Sequence, residues 1–508
     1  MRKKILLAIA VFTAGLCSII YELLISTAAT YFLGNGVKQF SLIIGVYLCS
    51  MGLGAFVSKY FKDRSLLFFI RIEYLLGFIG GISVPLIYFL FVNVSPTALQ
   101  FYCLLIIFVI GLLTGMEVPL LTFVSSEKEV KNDLSNILSL DYIGGLLATL
   151  IFPFILLPFL GLFYSSLLFG IVNILLGLVL SMLFFKEKKA QLIPGILALI
   201  ALIILVASAG SLLKVWDEKI YKSPIVLNVQ TPYQKIVLTK TSNDDVRLYL
   251  NRVIQFSSKD EHRYHESLVH APLVFHNDPQ RVLILGGGEN LASREVLKDS
   301  RVHTIDVVDI DGEMFRLAKE NPFLRNINKE AASNRKVNLI TQDAFTFLNE
   351  NQDHYDLIIA DLPDPSNEGV ARLYSKQFFL MVKRNMADDG IFVTQSGEIY
   401  FSNTVFSCIH TTMTEVFDKV IPYHVYIPSF GDWGFNMAFK KSNEKRNRGK
   451  LPERLKYLTD TQLENLYEWP TDVVIQKTAV NTLDNPIILN YYLDDWNRWK
   501  KDFETGTQ

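Results

Sequence analysis

The feature of this sequence that most restricts its possible folds is a set of long apolar runs before residue 214. An apolar helix needs about 20 residues to cross the roughly 30 Å hydrocarbon core of a bilayer. Seven runs reach about that length, namely residues 5–25, 40–58, 66–92, 99–123, 138–158, 162–185 and 192–213. Because backbone groups in a bilayer must be hydrogen-bonded internally, we predict transmembrane helices for these runs.

The charged side chains are distributed unevenly between the two parts of the chain. Residues 1–213 carry 22 of the 99 charged side chains, and residues 214–508 carry the other 77. This contrast predicts a transmembrane domain over residues 1–213 followed by a water-soluble part. The formal net charge of −1 gives no support for nucleic-acid binding. The four cysteines form no paired spacing, so they predict neither a disulfide framework nor a zinc site.

Basic residues predict the orientation of the apolar helices in the membrane. Arg2, Lys3 and Lys4 precede the first run, which we interpret as an uncleaved helix rather than a signal peptide. Lysine and arginine mark every second connection, at Arg2 to Lys4, Lys59 to Arg64, Lys128 to Lys131 and Lys186 to Lys189. These connections are expected to be cytoplasmic. Seven crossings would then place the water-soluble part outside the cell.

Five ionisable residues lie inside the apolar runs. Such groups are costly in a bilayer unless they are paired or face a polar cavity. They are Glu22, Arg71, Glu73, Glu117 and Asp141. Two interpretations remain open: interhelical or interfacial structural groups, or a site for a polar ligand in a transporter.

After residue 213 the pattern changes to that of a small β-strand domain, residues 214–278. Alternating apolar residues in YQKIVLTKTS and VRLYLNRVIQF, with Asn243-Asp244-Asp245 between them, predict a β-hairpin. A helix is expected from Asp260 through His270.

Residues 279–445 alternate predicted strands and helices, which is typical of an α/β Rossmann-like domain. A strand over Val282–Leu285 runs into the turn Gly286-Gly287-Gly288, and a helix starts near Leu291. Four carboxylates follow successive strand ends or turns, at Glu289, Asp309, Asp343 and Asp361. Each one alone could cap a helix. The four together predict a ligand site at the carboxyl edge of a doubly wound parallel sheet.

The pattern of that site favours a nucleoside carrying no phosphate. The turn has neither G-x-G-x-x-G nor the lysine of a P-loop. Carboxylates would repel a pyrophosphate and attract a cation such as a sulfonium or an amine.

The motifs resemble those of the polyamine aminopropyltransferases, the spermidine synthases. The similar segments are YLNRVIQFSSKDEHRYHESLVHAPL, VLILGGGENLASREVLK, VVDID, QDAF, YDLIIADLPDP and WGF, in the same order over residues 230–440. The transmembrane part resembles that of a bacterial, membrane-integrated subset of the family. The glycine turn alone is shared with many S-adenosylmethionine methyltransferases, whose fold type the α/β domain is expected to have.

The resemblance implies a reaction between decarboxylated S-adenosylmethionine, as co-substrate, and a diamine such as putrescine. The products would be spermidine and methylthioadenosine, with no permanently bound cofactor and no metal. It implies Asp361 as the general base and substrate contacts from Tyr264, His265 and Asp364. The implied donor contacts are Gln255, Gly286, Gly288, Glu289, Asp309 (ribose), Asp343 (adenine amino group) and Ala344.

Departures from the family pattern concern the acceptor end of the site. Glu289 stands where an aspartate is usual, Asn290-Leu291 where two glycines are usual, and Ser366-Asn367 where Gly-Pro is usual. These changes leave the identity of the amine open. Two alternatives also remain: an S-adenosylmethionine-dependent methyltransferase, or a polyamine transporter with a synthase-like domain.

The expected partners are an amine substrate, the lipid bilayer and, by resemblance, a second copy in a homodimer. The protein is expected to be a multi-pass protein of the cell membrane. The sidedness of its catalytic domain is open, and we favour the cytoplasm because the donor is an intracellular metabolite. Residues 446–508 are expected to form a helical tail packed on the domain.

Overall fold

The computed structural model describes residues 2–124, 130–185, 189–441 and 448–504. The chain divides into two compact units, Met1–Ile225 and Val226–Gln508. Of the predicted cytoplasmic connections, Lys128, Lys186 and Lys188 lie outside the described residues.

The described part of the first unit is helical up to the strand that begins at Ile225. The helices are α1 (Arg2–Leu33), α2 (Gly36–Ser58), α3 (Ser65–Asn93), α4 (Pro96–Val124), α5 (Val130–Ile151), α6 (Leu157–Phe159), α7 (Gly161–Phe184) and α8 (Ile193–Tyr221). Helix α8 continues eight residues beyond the predicted boundary at residue 213, to Tyr221, and the next residue, Lys222, adopts a left-handed conformation. The helix thus extends past the point at which the apolar run ends.

Six helical segments in the described residues are long and apolar enough to cross a membrane. One of them, Gly36–Asn93, is 58 residues long and contains α2, the 3-10 turn Lys59–Arg64 and α3. The prediction of seven runs counts α2 and α3 separately. The predicted run 138–158 is also interrupted, by a π-helical turn over Phe152–Leu156 that contains Pro153.

Glycines allow the helices of the first unit to cross closely. A Cβ atom added at Gly77 of α3 would lie 2.6 Å from the carbonyl oxygen of Gly170 on α7. One added at Gly54 of α2 would lie 2.0 Å from the carbonyl oxygen of Leu112 on α4. Larger side chains at these positions would push the helices apart, so backbone contact sets the spacing of the bundle.

The second unit begins with a four-stranded sheet, where the sequence predicted a hairpin. Its strands, in spatial order, are β1 (Ile225–Gln230), β2 (Lys235–Lys240), β3 (Val246–Leu250) and β4 (Val253–Ser257). The segment interpreted as one strand is two, because the chain turns at Asn251 and Arg252, whose φ angles are 48° and 73°. Two consecutive positive φ angles are what a two-residue hairpin turn needs.

The larger sheet of the second unit has seven strands in the order β10-β11-β9-β8-β5-β6-β7. They are β5 (Arg281–Gly286), β6 (Thr304–Asp309), β7 (Val337–Thr341), β8 (Tyr355–Asp361), β9 (Met386–Glu398), β10 (Lys419–Ile427) and β11 (Gly431–Phe439). Five neighbouring strands are parallel, whereas β11 is antiparallel to both β9 and β10. The predicted all-parallel sheet is therefore wrong: the sheet is mixed, because three residues between β10 and β11 permit only a hairpin.

The helices of the second unit connect these strands or form the tail. They are α9 (Glu261–Leu273), α10 (Leu291–Val296), α11 (Gly312–Glu320), α12 (Pro322–Ile327), α13 (Ala344–Glu350), α14 (Glu368–Ala371), α15 (Lys376–Asn385), α16 (Asn403–Thr414), α17 (Asp460–Asn465) and α18 (Ile487–Glu504). Strand β5 lies between β6 and β8, so the strand order reverses at its carboxyl end. Ligands of such sheets bind in the crevice at that reversal.

The tail contains less helix than the sequence suggested. Most of its described residues between 448 and 486 are irregular. Backbone bonds to buried acids hold it instead: the Glu266 carboxylate accepts N–H groups from Lys456, Tyr457 and Leu458. A carboxylate with three such donors can anchor an irregular segment without regular secondary structure.

Candidate active site

The glycine turn after β5 brings two strand ends into contact. Gly286 and Gly287 have φ angles of 82° and 61°, which favour glycine. A Cβ atom at Gly286 would lie 2.2 Å from the carbonyl oxygen of Asp361, and one at Gly288 would lie 2.7 Å from Oδ2 of Asp309. The missing side chains therefore let the acids that end β6 and β8 approach the turn.

Asp309 is held in place by backbone donors on both sides. Its Oδ2 accepts the N–H of Gly288 at 3.1 Å, and its Oδ1 accepts the N–H of Asp311 at 2.8 Å. Burial raises the pKa of Asp309 to about 6 despite these donors. Asp311, the second acid of the motif, instead caps α11 and accepts from Thr231 and Gln234.

Asp361 and Tyr264 form a hydrogen-bonded pair at the carboxyl end of β8. The hydroxyl of Tyr264, on α9, donates to Oδ1 of Asp361 at 2.7 Å. Burial, reinforced by the negative charge of Glu289, raises the pKa of Asp361 to about 6. This carboxyl can therefore accept a proton near neutral pH.

His265 connects Glu289, which follows the glycine turn, to a buried ion-pair network. Its Nδ1 lies 3.0 Å from Oε2 of Glu261, and its Nε2 lies 3.8 Å from Oε1 of Glu289. Burial favours the neutral ring, but the bonds to Glu261 and Glu289 outweigh it and raise the pKa of His265 to about 10. Arg294 makes a two-point contact with Glu261, at 2.9 and 2.7 Å.

The same histidine bears on whether this cluster could hold a metal. One ligand atom from each of His265, Glu289 and Asp361 lies within 4.8 Å of the others. A metal binds only the neutral ring, so it would have to displace the proton from His265, whose pKa is raised to about 10. The contacts of His265 with Glu261 and Glu289 therefore compete with binding of a metal.

Asp364 lies in a second buried network. Its Oδ1 is 3.4 Å from Nε2 of Gln395, which also donates to the hydroxyl of Tyr374 at 2.7 Å and to the carbonyl of Leu362 at 2.6 Å. Burial raises the pKa of Asp364 to about 6, and the bond from Gln395 partly opposes this. Gln395 and Tyr374 were not predicted; the only sequence signal was a glutamine near the end of β9.

Three of the residues predicted to contact the donor lie at the margin of this group of acids. Asp343 caps α13 through Thr346, and its other oxygen pairs with Arg372. Ala344 is buried at the start of that helix. Gln255, on β4, is half-buried, and its amide donates to the carbonyl of Val253. Asp343 thus caps a helix, as any one of the four strand-end acids alone could do. That Asp343, Ala344 and Gln255 contact the donor stays a prediction.

Comparison with known proteins places this arrangement among related chains. A profile of the spermine/spermidine synthase domain matches residues 261–450. A polyamine aminopropyltransferase of Leptospira interrogans is 38% identical, with 97% of this chain and 99% of that protein covered. Polyamine aminopropyltransferase 2 of Ralstonia nicotianae is 35% identical, with 98% and 99% covered. One of Mycobacterium tuberculosis is 32% identical, with 98% and 97% covered.

Two solved structures are similar to part of the chain. A spermidine synthase in complex with the transition-state analogue AdoDATO matches with 22% identity and a TM-score of 0.46, over 49% of this chain and 86% of that chain. A spermidine synthase from Thermotoga maritima matches with 22% identity and a TM-score of 0.45, over 49% and 85%.

Proposed function

The chain belongs to the polyamine aminopropyltransferase family, and on that premise we propose that it transfers an aminopropyl group from decarboxylated S-adenosylmethionine to putrescine. The amine nitrogen attacks the methylene carbon next to the sulfonium and forms a C–N bond. The C–S bond breaks, and methylthioadenosine leaves with the electron pair. The products are spermidine and methylthioadenosine, and the nitrogen loses one proton.

The observation that carries this proposal is the pair of carboxyls of Asp361 and Asp364 at the strand reversal, each of which accepts a hydrogen bond from an uncharged side chain. Tyr264 donates to Asp361, and Gln395 donates to Asp364. An amine with a pKa near 10 attacks only when it is neutral, so a nearby carboxylate must take its proton. We assign that proton to Asp361, and the distal ammonium of the diamine to Asp364. The positive sulfonium already favours departure of the thioether, so alignment and proton removal are what the protein supplies.

Glu289 and Asp309 suit the donor end of the same crevice. Asp309 is fixed by two backbone N–H groups, which leaves its remaining lone pairs for the ribose hydroxyls of a nucleoside. Glu289 adds a carboxylate for the ammonium of the aminopropyl arm. A donor without a carboxyl group avoids repulsion by these acids, which favours the decarboxylated sulfonium over S-adenosylmethionine itself.

A direct assay tests this function. Purified full-length protein is incubated with decarboxylated S-adenosylmethionine and, separately, putrescine, cadaverine, 1,3-diaminopropane or spermidine, and methylthioadenosine is measured by chromatography. We expect release with putrescine and the largest kcat/KM for it. Release only with another amine would change the assigned acceptor, and no release with any amine would reject the reaction.

Substitution of Asp364 with asparagine is expected to weaken binding of the acceptor amine rather than binding of the aminopropyl donor. Loss of a charge-assisted hydrogen bond to an ammonium costs about 1.5–3 kcal/mol, or roughly a 10- to 100-fold rise in the KM for putrescine. The KM for the donor should change less than about threefold. An equal rise in both KM values would place Asp364 outside the acceptor position.

The rate is expected to fall on the acid side of neutrality. Burial raises the pKa of Asp361 to about 6, above its usual range, and only the ionised form can accept the proton. Below pH 6, kcat/KM should therefore drop about tenfold per pH unit, and more steeply where Asp364, also near pKa 6, titrates with it. A rate that stays constant down to pH 4.5 would show that neither carboxyl must be ionised.

The first unit is proposed to anchor the enzyme in the cell membrane as a multi-pass protein. Its apolar helices support this by length and composition. We place the catalytic unit in the cytoplasm, where the donor is made, which requires that the run 192–213 does not cross the bilayer although its length and composition allow it. Reporter fusions after Lys189 and at the carboxyl terminus test this placement: a cytoplasmic reporter signal at both sites is the expected result.

We also propose a homodimer. A protein mass of twice the chain mass, measured by light scattering, would support it.

A further inference from the structure

The helical unit contains four acidic side chains that the transfer reaction does not use. Glu22 lies on α1, Glu73 on α3, Glu117 on α4 and Asp141 on α5. Glu73 and Glu117 are 0% and 3% exposed. A carboxylate buried among apolar helices is strongly unfavourable unless a cation or a proton compensates its charge. Each of the four helices therefore carries a charge that needs a partner.

The acids on α3, α4 and α5 lie close together, and Tyr47 links Glu22 on α1 to Glu117. Glu117 lies within electrostatic range of Glu73 and Asp141. Asp141 packs against α1, since a Cβ atom at Gly15 would lie 2.5 Å from its Oδ1. Glu22 and Asp141 are partly exposed, whereas Glu73 and Glu117 are buried. The cluster thus extends from the surface of the helical unit to its interior.

Buried hydroxyl groups point into the same cluster. Tyr21 and Tyr47 are 0% and 1% exposed. The hydroxyl of Tyr21 has no hydrogen-bond partner among the described residues, whereas that of Tyr47 lies beside Ser18 and Thr114. The carboxyl of Glu73 lies beside that of Glu117. Tyr21 lies within electrostatic range of Glu73 and Glu117, and Tyr47 within range of Glu22 and Glu117. Because a buried hydroxyl is rarely left without a partner, the hydroxyl of Tyr21 beside this pair of acids indicates a bound polar ligand.

The distribution of the acids favours a linear organic cation over a single metal ion. A metal cage gathers its ligand atoms, but within the described ranges the only triads of such side chains with ligand atoms within 4.8 Å lie in the second unit. No described lysine, arginine or histidine forms an ion pair with the four acids. The adjoining carboxyls of Glu73 and Glu117, with Asp141 in electrostatic range and tyrosine rings beside them, match ammonium groups along one aliphatic chain.

We propose that the helical unit binds one polyamine molecule along the carboxylates of Asp141, Glu22, Glu117 and Glu73, with its buried end at Glu73 and Glu117. The identity of the ligand rests on the proposed function, which forms such a polycation in the same chain. Partly exposed Glu22 and Asp141 hold its other end, and the hydroxyl of Tyr21 completes its coordination inside the bundle. The bundle is then a binding site for substrate or product as well as an anchor.

Counting bound spermidine tests the proposal. Full-length protein in nanodiscs of phosphatidylcholine, which carries no net charge, is titrated with radiolabelled spermidine by equilibrium dialysis. We expect two sites per chain in the wild type. The Asp361→Asn/Asp364→Asn variant should retain the site in the bundle. The Glu73→Gln/Glu117→Gln variant should lose that site by about tenfold or more in affinity, yet release methylthioadenosine within twofold of the wild-type rate.

Two further variants keep the result interpretable. Glu218→Gln changes an exposed carboxyl of the same unit and should leave both sites intact. Tyr21→Phe removes one hydroxyl and keeps the ring, so it should weaken the bundle site about fivefold even if the double glutamine variant fails to fold. Loss of all spermidine binding in the Asp361→Asn/Asp364→Asn variant, or unchanged binding in both bundle variants, would overturn the proposal. Absence of methylthioadenosine release from the wild type would instead reject the proposed reaction, while the spermidine count still decides this site.

Discussion

Replacing Asp361 with asparagine is expected to lower kcat by about a thousandfold, within the usual 10²- to 10⁴-fold contribution of a general base. The amide keeps the size of the side chain and can still accept the hydrogen bond that Tyr264 donates at 2.7 Å. What it loses is the ability to accept a proton from the attacking amine. The release of methylthioadenosine under saturating donor and putrescine measures the effect.

The pattern of kinetic constants separates this role from simple binding. Loss of an interaction made only in the transition state lowers kcat and kcat/KM equally, so both KM values should change less than about threefold. Asp353→Asn is the matched control, because Asp353 is exposed and pairs with Arg281 away from the strand reversal. A kcat for Asp361→Asn within tenfold of the wild type would remove Asp361 from the role of base.

Replacing Arg294 with methionine is expected to destabilise the second unit by about 3 kcal/mol, at the lower end of the cost of breaking a buried ion pair. The arginine side chain is 10% exposed and its partner Glu261 is 2% exposed. Without the guanidinium, Glu261 keeps only His265 as a charged partner, so its buried charge is poorly compensated. For a domain of 150–250 residues this corresponds to a fall of roughly 6–12 °C in Tm.

Thermal unfolding of the full chain in detergent, followed by tryptophan fluorescence, measures this loss. Arg316→Met is the control: Arg316 pairs with Glu313 and Glu320 but is 51% exposed, so its loss should cost at most about 0.5 kcal/mol. Combining Arg294→Met with Glu261→Gln should cost less than the sum of the single changes, because the glutamine leaves no uncompensated charge. Additive costs would show that Arg294 and Glu261 act independently.

Periodicity and strand-end chemistry predicted a large share of this fold. The helix before the glycine turn was expected from Asp260 to His270 and runs from Glu261 to Leu273, and the strand expected over Val282–Leu285 runs from Arg281 to Gly286. The mixed sheet was not predicted, since pairing of β11 with both β9 and β10 depends on long-range register. The break at Asn251 was missed because an asparagine inside an apolar alternation resembles a solvent-facing strand position.

By itself, the sequence determined the two-part character of the protein, its family and the residue types that end the parallel strands, because each of these is a local pattern of composition or spacing. Only the tertiary structure decided which side chains lie beside each of those acids. Asp361 receives the hydroxyl of Tyr264, 97 positions earlier, whereas Asp343 caps a helix and pairs with Arg372. It also revealed Gln395 beside Asp364, Arg294 beside Glu261, and Glu117 in electrostatic range of Glu73 and Asp141. Such partnerships depend on the distance between side chains that are far apart along the chain, and no local pattern records that distance.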